Sequence, residues 1–397
     1  MRSPSRADLL LVGGIALSPV TELGIGPLNA GEIMVLLWCV IEWTIRRPRP
    51  AIRLQDGLWW YLFFLCIVIG TWIGIQLTPH ATGVAGLLTW AYFAFVFLTI
   101  VAALRACTRD YLELLLTRVG SWGAIFFSFL LTWSILVSRS LFGLSLWYSG
   151  SRFSGGGANP HYVALVAVVC ASINLRTAVR ASTLRSRVWA GLLMLASLVA
   201  GAATLSTTLA AAIALTGLVM LLCYMLHARN VGLLWLVMLI AAVVAVINVG
   251  WVLDTAVKVV EGDANGLGRI DIWASYTQTF ALSPVFGLGP GTHGMGGTIE
   301  YHNAFIEIAA MSGLLGLLVF LILWGRVFLA ALRTDLWLTA PVLVGLMYGV
   351  GGFSVRRLVF WGVLGIIAAL VQSARAEESS TEKALAVHPT AAVTPRP

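Results

Sequence analysis

NAFIEIAAMSGLLGLLVFLILWG, residues 303–325, carries a single charge, Glu307. At about 1.5 Å of rise per residue, a helix of this length reaches across the roughly 30 Å of a bilayer's hydrocarbon. Working outward, similar apolar runs begin near Leu9, Leu28, Gly57, Gly83, Tyr111, His161, Val188, Ser206, Val231, Leu336 and Leu358. Val188–Leu226 is too long for one crossing, so a hairpin near Ser206 is preferred, and Pro19 interrupts the short first run. Composition agrees: 59% of the 397 residues are hydrophobic, 11% are charged, and the mean hydropathy is +0.92. Soluble chains carry about 25% charged residues; here there is too little charge to coat a water-facing surface. The expected fold is an all-α membrane protein of about 12 transmembrane helices. It forms a single polytopic domain over residues 1–376, followed by a disordered cytoplasmic tail over 377–397.

The net charge of +8 has to be read by location. Twelve spans place 18 Lys/Arg on one side, among them Arg46, Arg47, Arg176, Arg180, Arg185 and Arg187. Six lie opposite: Arg139, Arg152, Lys258, Arg269, Arg356 and Arg357. That asymmetry places both termini in the cytoplasm. It argues against nucleic acid as a partner, because no basic patch alternates with aromatics on a polar surface. The five cysteines stand singly in or beside apolar segments, which favours neither a disulfide framework nor a zinc site. Arg2 and Arg6 precede the first apolar run without an evident cleavage site, so an uncleaved first helix is expected. No inverted repeat of the kind many transporters carry is visible.

Most external connections are short; residues 254–302, between spans 9 and 10, are not, and a long connection among tight hairpins signals function. Within this external loop, Arg269–Leu282 sets Ile270, Trp273, Thr277 and Phe280 on one stripe, predicting an amphipathic helix at the interface. Ser283–Gly297 is glycine-rich and has two readings, a backbone cradle for phosphate or a compact re-entrant turn. GLGPG lacks the GK[ST] of a nucleotide loop. Arg152, Arg269, Arg356 and Arg357 lie on the side where basic residues are disfavoured. Singly, each suits snorkelling to headgroups; brought together, guanidiniums bind phosphates through paired, charge-assisted hydrogen bonds. His302 sits where the loop enters the membrane, a place suited to capping, packing or proton transfer. Glu32, Glu42 and Glu307 lie within spans, where an acid is costly and marks either a structural pair or a working group. Without HExxH, DxD or an external acidic cluster, no metal and no cofactor are expected.

GRIDIWASYTQTFALSPVFGLGPGTHG, followed by YHNAFIEIAAMSGLLGLLVFLILWG, resembles the signature region of the O-antigen ligase and O-antigen polymerase superfamily. Arg269, Trp273, Pro284, Gly287, Gly289, His302, Asn303, Gly313 and Gly316 match the pattern. RFSGGGANPHYVALVAVV resembles the family's Arg–Gly–Asn–Pro entry to a middle helix, with His161 where Asn is frequent. The resemblance covers about Arg152 to Gly325. One departure stands out: the family often has Ser-Arg or Ser-Lys after the middle hairpin, and here Thr207 follows Ser206.

The resemblance implies a multi-pass glycosyltransferase of the bacterial inner membrane, working in lipopolysaccharide or related polysaccharide biosynthesis. Its donor would be an undecaprenyl-diphosphate-linked glycan and its acceptor a glycan or glycolipid hydroxyl on the external face, with membrane lipids as surroundings. His302 would be the catalytic base. Arg152, Arg269, Arg356, Arg357 and Asn303 would bind substrate, and the diphosphate would leave without a metal. Ligase and polymerase differ only in the acceptor. A lipid-linked glycan transporter or flippase, or an inert scaffold of an envelope-glycan complex, are the readings of another class.

Overall fold

The computed structural model describes residues 5–25, 28–46, 54–77, 84–227, 264–291, 301–352 and 354–387. The chain is helical nearly throughout: α1 (Asp8–Leu17), α2 (Ala30–Ile41), α3 (Leu54–Leu77), α4 (Val84–Leu104), α5 (Arg109–Leu136), α6 (Pro160–Arg180), α7 (Leu184–Ala202), α8 (Thr207–His227), α9 (Ala264–Leu282), α10 (Ala304–Thr334), α11 (Thr339–Tyr348) and α12 (Leu358–Val387). Among the described residues, sheet is limited to three two-residue antiparallel ladders, Gly24–Ile25 with Leu28–Asn29, Ser140–Leu141 with Leu144–Ser145, and Trp147–Tyr148 with Arg152–Phe153.

Among the described residues, eight helices are long and apolar enough to cross a membrane: α3 to α8, α10 and α12. The twelve runs read from the sequence therefore do not all become full-length spans. The run at Leu9 yields the ten-residue α1, which ends just before Pro19. The run at Leu28 yields α2, extended by a π-helical turn over Glu42–Arg46. The run at Leu336 yields a short apolar helix that stops at Tyr348, before Gly349, Gly351 and Gly352. The run at Val231 lies outside the described residues. Residues 377–387 prolong α12 as helix, because Glu, Lys, Ala and Leu favour helix and no proline intervenes before Pro389.

α12 is the most enclosed span. Its Trp361 packs against the rings of Trp60, Trp90, Phe93, Phe97, Phe320 and Phe360, drawing α3, α4 and α10 around it. α1 and α2 cross at Gly14 and Gly31, where a Cβ on Gly31 would stand 2.4 Å from the Gly14 carbonyl. Small residues permit such backbone approach in lipid. At one end of the bundle, buried Arg176 of α6 forks onto both Glu113 oxygens of α5 (2.8 and 2.9 Å) and donates Nε to Asp335 after α10 (2.7 Å). Arg180 joins the same two carboxylates. Arg152, His161, Arg356 and Arg357 gather at the opposite end of α6.

Candidate active site

The floor of the site is a broken helix. α10 is interrupted at Gly313 (φ 67°, ψ −174°), a conformation outside the helical region and open to glycine. Inside a bilayer the backbone groups released by such a break must find partners. They find them in the glycine-rich loop. The N–H groups of Leu288 and Gly289 donate to the carbonyls of Ala310 (2.8 Å) and Met311 (3.0 Å), while Leu314 and Leu315 donate back to Pro284 and Val285. A Cβ at Gly313 would stand 2.0 Å from the Val285 carbonyl, so the loop backbone occupies the side-chain space. Ser283–Gly291 is thus a re-entrant plug. The phosphate-cradle reading fails for Leu288 and Gly289, whose N–H groups are already committed.

α9 docks on the mouth of this plug through Tyr301. Trp273 Nε1 donates to the Tyr301 carbonyl (2.7 Å), Thr279 Oγ1 and the Tyr301 hydroxyl lie 2.9 Å apart, and the rings of Tyr276 and Tyr301 meet edge to face at 5.9 Å. The predicted stretch is helical, within Ala264–Leu282, but its docking face differs from the predicted stripe. Thr277 is exposed, and the docking stripe runs through Trp273, Tyr276 and Thr279. Burial, with Tyr301 adding to it, pushes the Tyr276 hydroxyl up to about 12, so it stays protonated at any working pH. Arg269 lies on α9; its side chain is outside the described residues.

His302 follows Tyr301 with φ at 51°, the left-handed region that a non-glycine residue rarely occupies. Asn303 explains how the strain is held. Its Oδ1 accepts from the N–H groups of Phe305 and Ile306, capping α10, and its Nδ2 donates to the Val350 carbonyl (3.0 Å). Ala304 N–H donates to the Gly349 carbonyl (2.7 Å). These bonds stitch the entry of α10 to the turn after α11, which carries Arg356 and Arg357. Arg356 closes an ion pair on buried Glu307, one turn into α10. The Arg357 guanidinium lies over the Tyr162 ring at 3.3 Å and within electrostatic range of Glu32.

The same turn reaches the position where the superfamily often has a cation. Thr208 Oγ1 donates to the Gly351 carbonyl (3.0 Å), and Ser206 Oγ lies 2.9 Å from His161 Nδ1 and 3.4 Å from the Tyr348 hydroxyl. Arg152 approaches from the other side, its Nε donating to the Thr204 carbonyl (2.9 Å). The structure therefore joins Asn303, Arg356 and Arg357 at one seam, with His302 next to Asn303 in the chain, and ties Arg152 to the neighbouring turn. Glu32 resolves as half of a capping box with Asn29. Sequence reasoning missed Tyr162, Tyr301 and Tyr348; an aromatic in an apolar run carries no signal of the cation or carbonyl it will meet.

Fold and site together define a polytopic helical membrane protein with a re-entrant loop and an arginine-rich seam at one end. Residues 192–321 match the model of a family described as O-antigen ligase. The match runs from α7 to the first half of α10, taking in the glycine plug, His302, Asn303 and Gly313; Arg152, Arg356 and Arg357 lie outside it. Over these residues the chain is thus similar to the O-antigen ligase family, in agreement with the resemblance read from the sequence. No curated protein matches the chain.

Proposed function

We propose that the chain is a glycosyltransferase of the bacterial inner membrane, with both termini cytoplasmic. It transfers a glycan from undecaprenyl diphosphate to an acceptor glycan hydroxyl on the external face. The observation that carries this reading is the seam itself: two backbone-anchored bonds, Asn303 to Val350 and Ala304 to Gly349, hold a histidine beside a turn bearing two arginines. In the reaction the acceptor O–H gives its proton to the His302 imidazole while its oxygen attacks the anomeric carbon. The bond from that carbon to the diphosphate oxygen breaks, and the diphosphate leaves carrying the electron pair.

Arg356 and Arg357 meet the developing charge, joined by Arg152 and Arg269. Cations aimed where charge develops stabilise the transition state without further reorganisation. Arg356 and Arg357 take the place of the cation replaced by Thr207. Asn303 acts first as the cap that fixes His302; its second Nδ2 proton is the one it offers a substrate. The proposed step needs no metal.

A transporter has one observation in its favour, the broken helix at Gly313, since transporters bind substrate at such breaks. The released groups of Ala310, Met311, Leu314 and Leu315 are consumed by the plug, however, which leaves them unsuited to coordinating cargo. The deciding experiment is product formation by purified protein in detergent, where transport has no meaning. Transfer of glycan to an acceptor supports the proposal. Its absence, with vectorial movement of the lipid-linked glycan in sealed vesicles, overturns it.

A further inference from the structure

At the far end of the bundle from His302 a cavity of about 740 Å³ opens between α3, α4, α10 and α12. α10 carries its residue Arg326 roughly 35 Å along the chain from Asn303 at 1.5 Å per residue, so the arginine end of this space lies away from the seam, while its floor reaches Trp361, one turn from Arg357. The floor is aromatic: Trp60, Phe97, Phe320 and Trp361. The lining also carries three guanidiniums, Arg105, Arg326 and Arg375. In the wall, the buried Nε1 of Trp324 has no hydrogen-bond partner among the described residues.

Size and chemistry select the occupant. The volume lies in the range of ligand sites, and the walls are apolar with a few polar groups at one edge. A sugar or nucleotide would strand its hydroxyls against four aromatic rings, and a free inorganic anion would leave the apolar floor empty. An acyl chain fits the floor while a phosphate meets the cations. Basic pockets between spans take anionic headgroups in this way. We infer that this cavity binds one anionic phospholipid from the leaflet at its own end of the bundle, its phosphate at Arg105, Arg326 and Arg375 and an acyl chain on the Trp60–Trp361 floor. Bound there, the lipid bridges α4, α10 and α12 at the end away from the plug.

The test uses the full chain purified in mild detergent and supplied with equal amounts of phosphatidylglycerol and phosphatidylethanolamine of identical acyl composition. Native mass spectrometry should show one phosphatidylglycerol retained at least tenfold over phosphatidylethanolamine. Arg105→Gln/Arg326→Gln/Arg375→Gln should lose that retention at least tenfold. The corresponding triple Lys variant should keep most of it, and the exposed pair Arg185→Gln/Arg187→Gln should leave it unchanged. Phosphatidylglycerol with a photoreactive acyl chain should label peptides of α10 and α12 around Trp324 and Trp361 in the wild-type chain, an arm that decides the matter even if the triple variant fails to fold. Equal retention of the two lipids, retention indifferent to the triple substitution, or label spread over the outer faces of α7 and α8 would each overturn the inference.

Discussion

Two arginine clusters stand at opposite ends of α6, built from the same residue type to different ends. At one, Arg176 is buried and spends its fork on Glu113 and Asp335, with Arg180 sharing both acids. Arg109 adds a third guanidinium on Glu113, so both acids of this cluster are fully engaged. At the other, Arg356 leans on Glu307 and Arg357 lies on the face of Tyr162. A ring takes the flat face of a guanidinium and makes no claim on its N–H edge, the part that forks onto phosphate. The first cluster is built to hold three helices together. In the proposed function the second meets the diphosphate.

The comparison breaks or holds most sharply at His302. If the seam is the reacting end, His302→Gln should fold yet turn over about 10²–10⁴ times more slowly, since glutamine hydrogen-bonds but takes no proton at neutral pH. Initial rates on purified protein check this, and near-native turnover would remove the base. The opposite signature is due at the other end. Arg176→Gln leaves two acids without their main partner, and breaking a buried pair from one side destabilises by about 3–5 kcal/mol. Thermal unfolding in detergent should drop steeply while turnover per folded molecule holds. A loss of turnover without loss of stability would erase the distinction between the two clusters.

How much of this was legible in the chain follows from the range of each interaction. Long uniform apolar runs announce themselves, and α3 to α8, α10 and α12 were readable because hydrophobic length is a local property. The Asn after His302 was readable as the start of a helix for the same reason. Arg176 and Arg180 were not: counted among cations flanking the spans, they instead meet Asp335 more than 150 residues away. Gly313 was visible as part of a motif, but its break in α10 depends on a loop some twenty-five residues earlier supplying the missing backbone partners. The α9 stripe slipped from Thr277 to Thr279 because the partner that selects its face is the buried Tyr301.

Smaller effects sharpen the picture of the anion-facing cluster. Arg269→Ala should lower turnover at least tenfold, each charge-assisted bond contributing about 1.5–3 kcal/mol and a factor of ten corresponding to about 1.4. Arg269→Lys should recover part of the loss, because an ammonium carries charge without the fork. Arg356→Ala alone confounds two effects, since it also leaves Glu307 buried beside an empty place. Comparing it with Arg356→Ala/Glu307→Gln separates them. Stability should return in the double variant while turnover stays low. If turnover returns as well, Arg356 is only the partner of Glu307 and leaves the site.

The smallest effect concerns Tyr162, and it tests the claim that a ring face, rather than a hydroxyl or simple bulk, prepares Arg357. Tyr162→Phe keeps the π-face and should leave turnover within about twofold of wild type, as aromatic faces of similar charge distribution support a guanidinium comparably. Tyr162→Leu keeps apolar volume but removes the quadrupole. A cation–π contact contributes about 0.5–2 kcal/mol depending on desolvation, so turnover should fall by roughly twofold to thirtyfold at 1.4 kcal/mol per decade. The loss should appear mainly as weaker use of the lipid donor, because Arg357 left without its ring has more conformations to give up before it meets the diphosphate. Equal losses in the two variants would assign the role to the hydroxyl. No loss in either would mean that Arg357 holds its place by other contacts, and the contrast between the two ends of α6 would then rest on Arg356 alone.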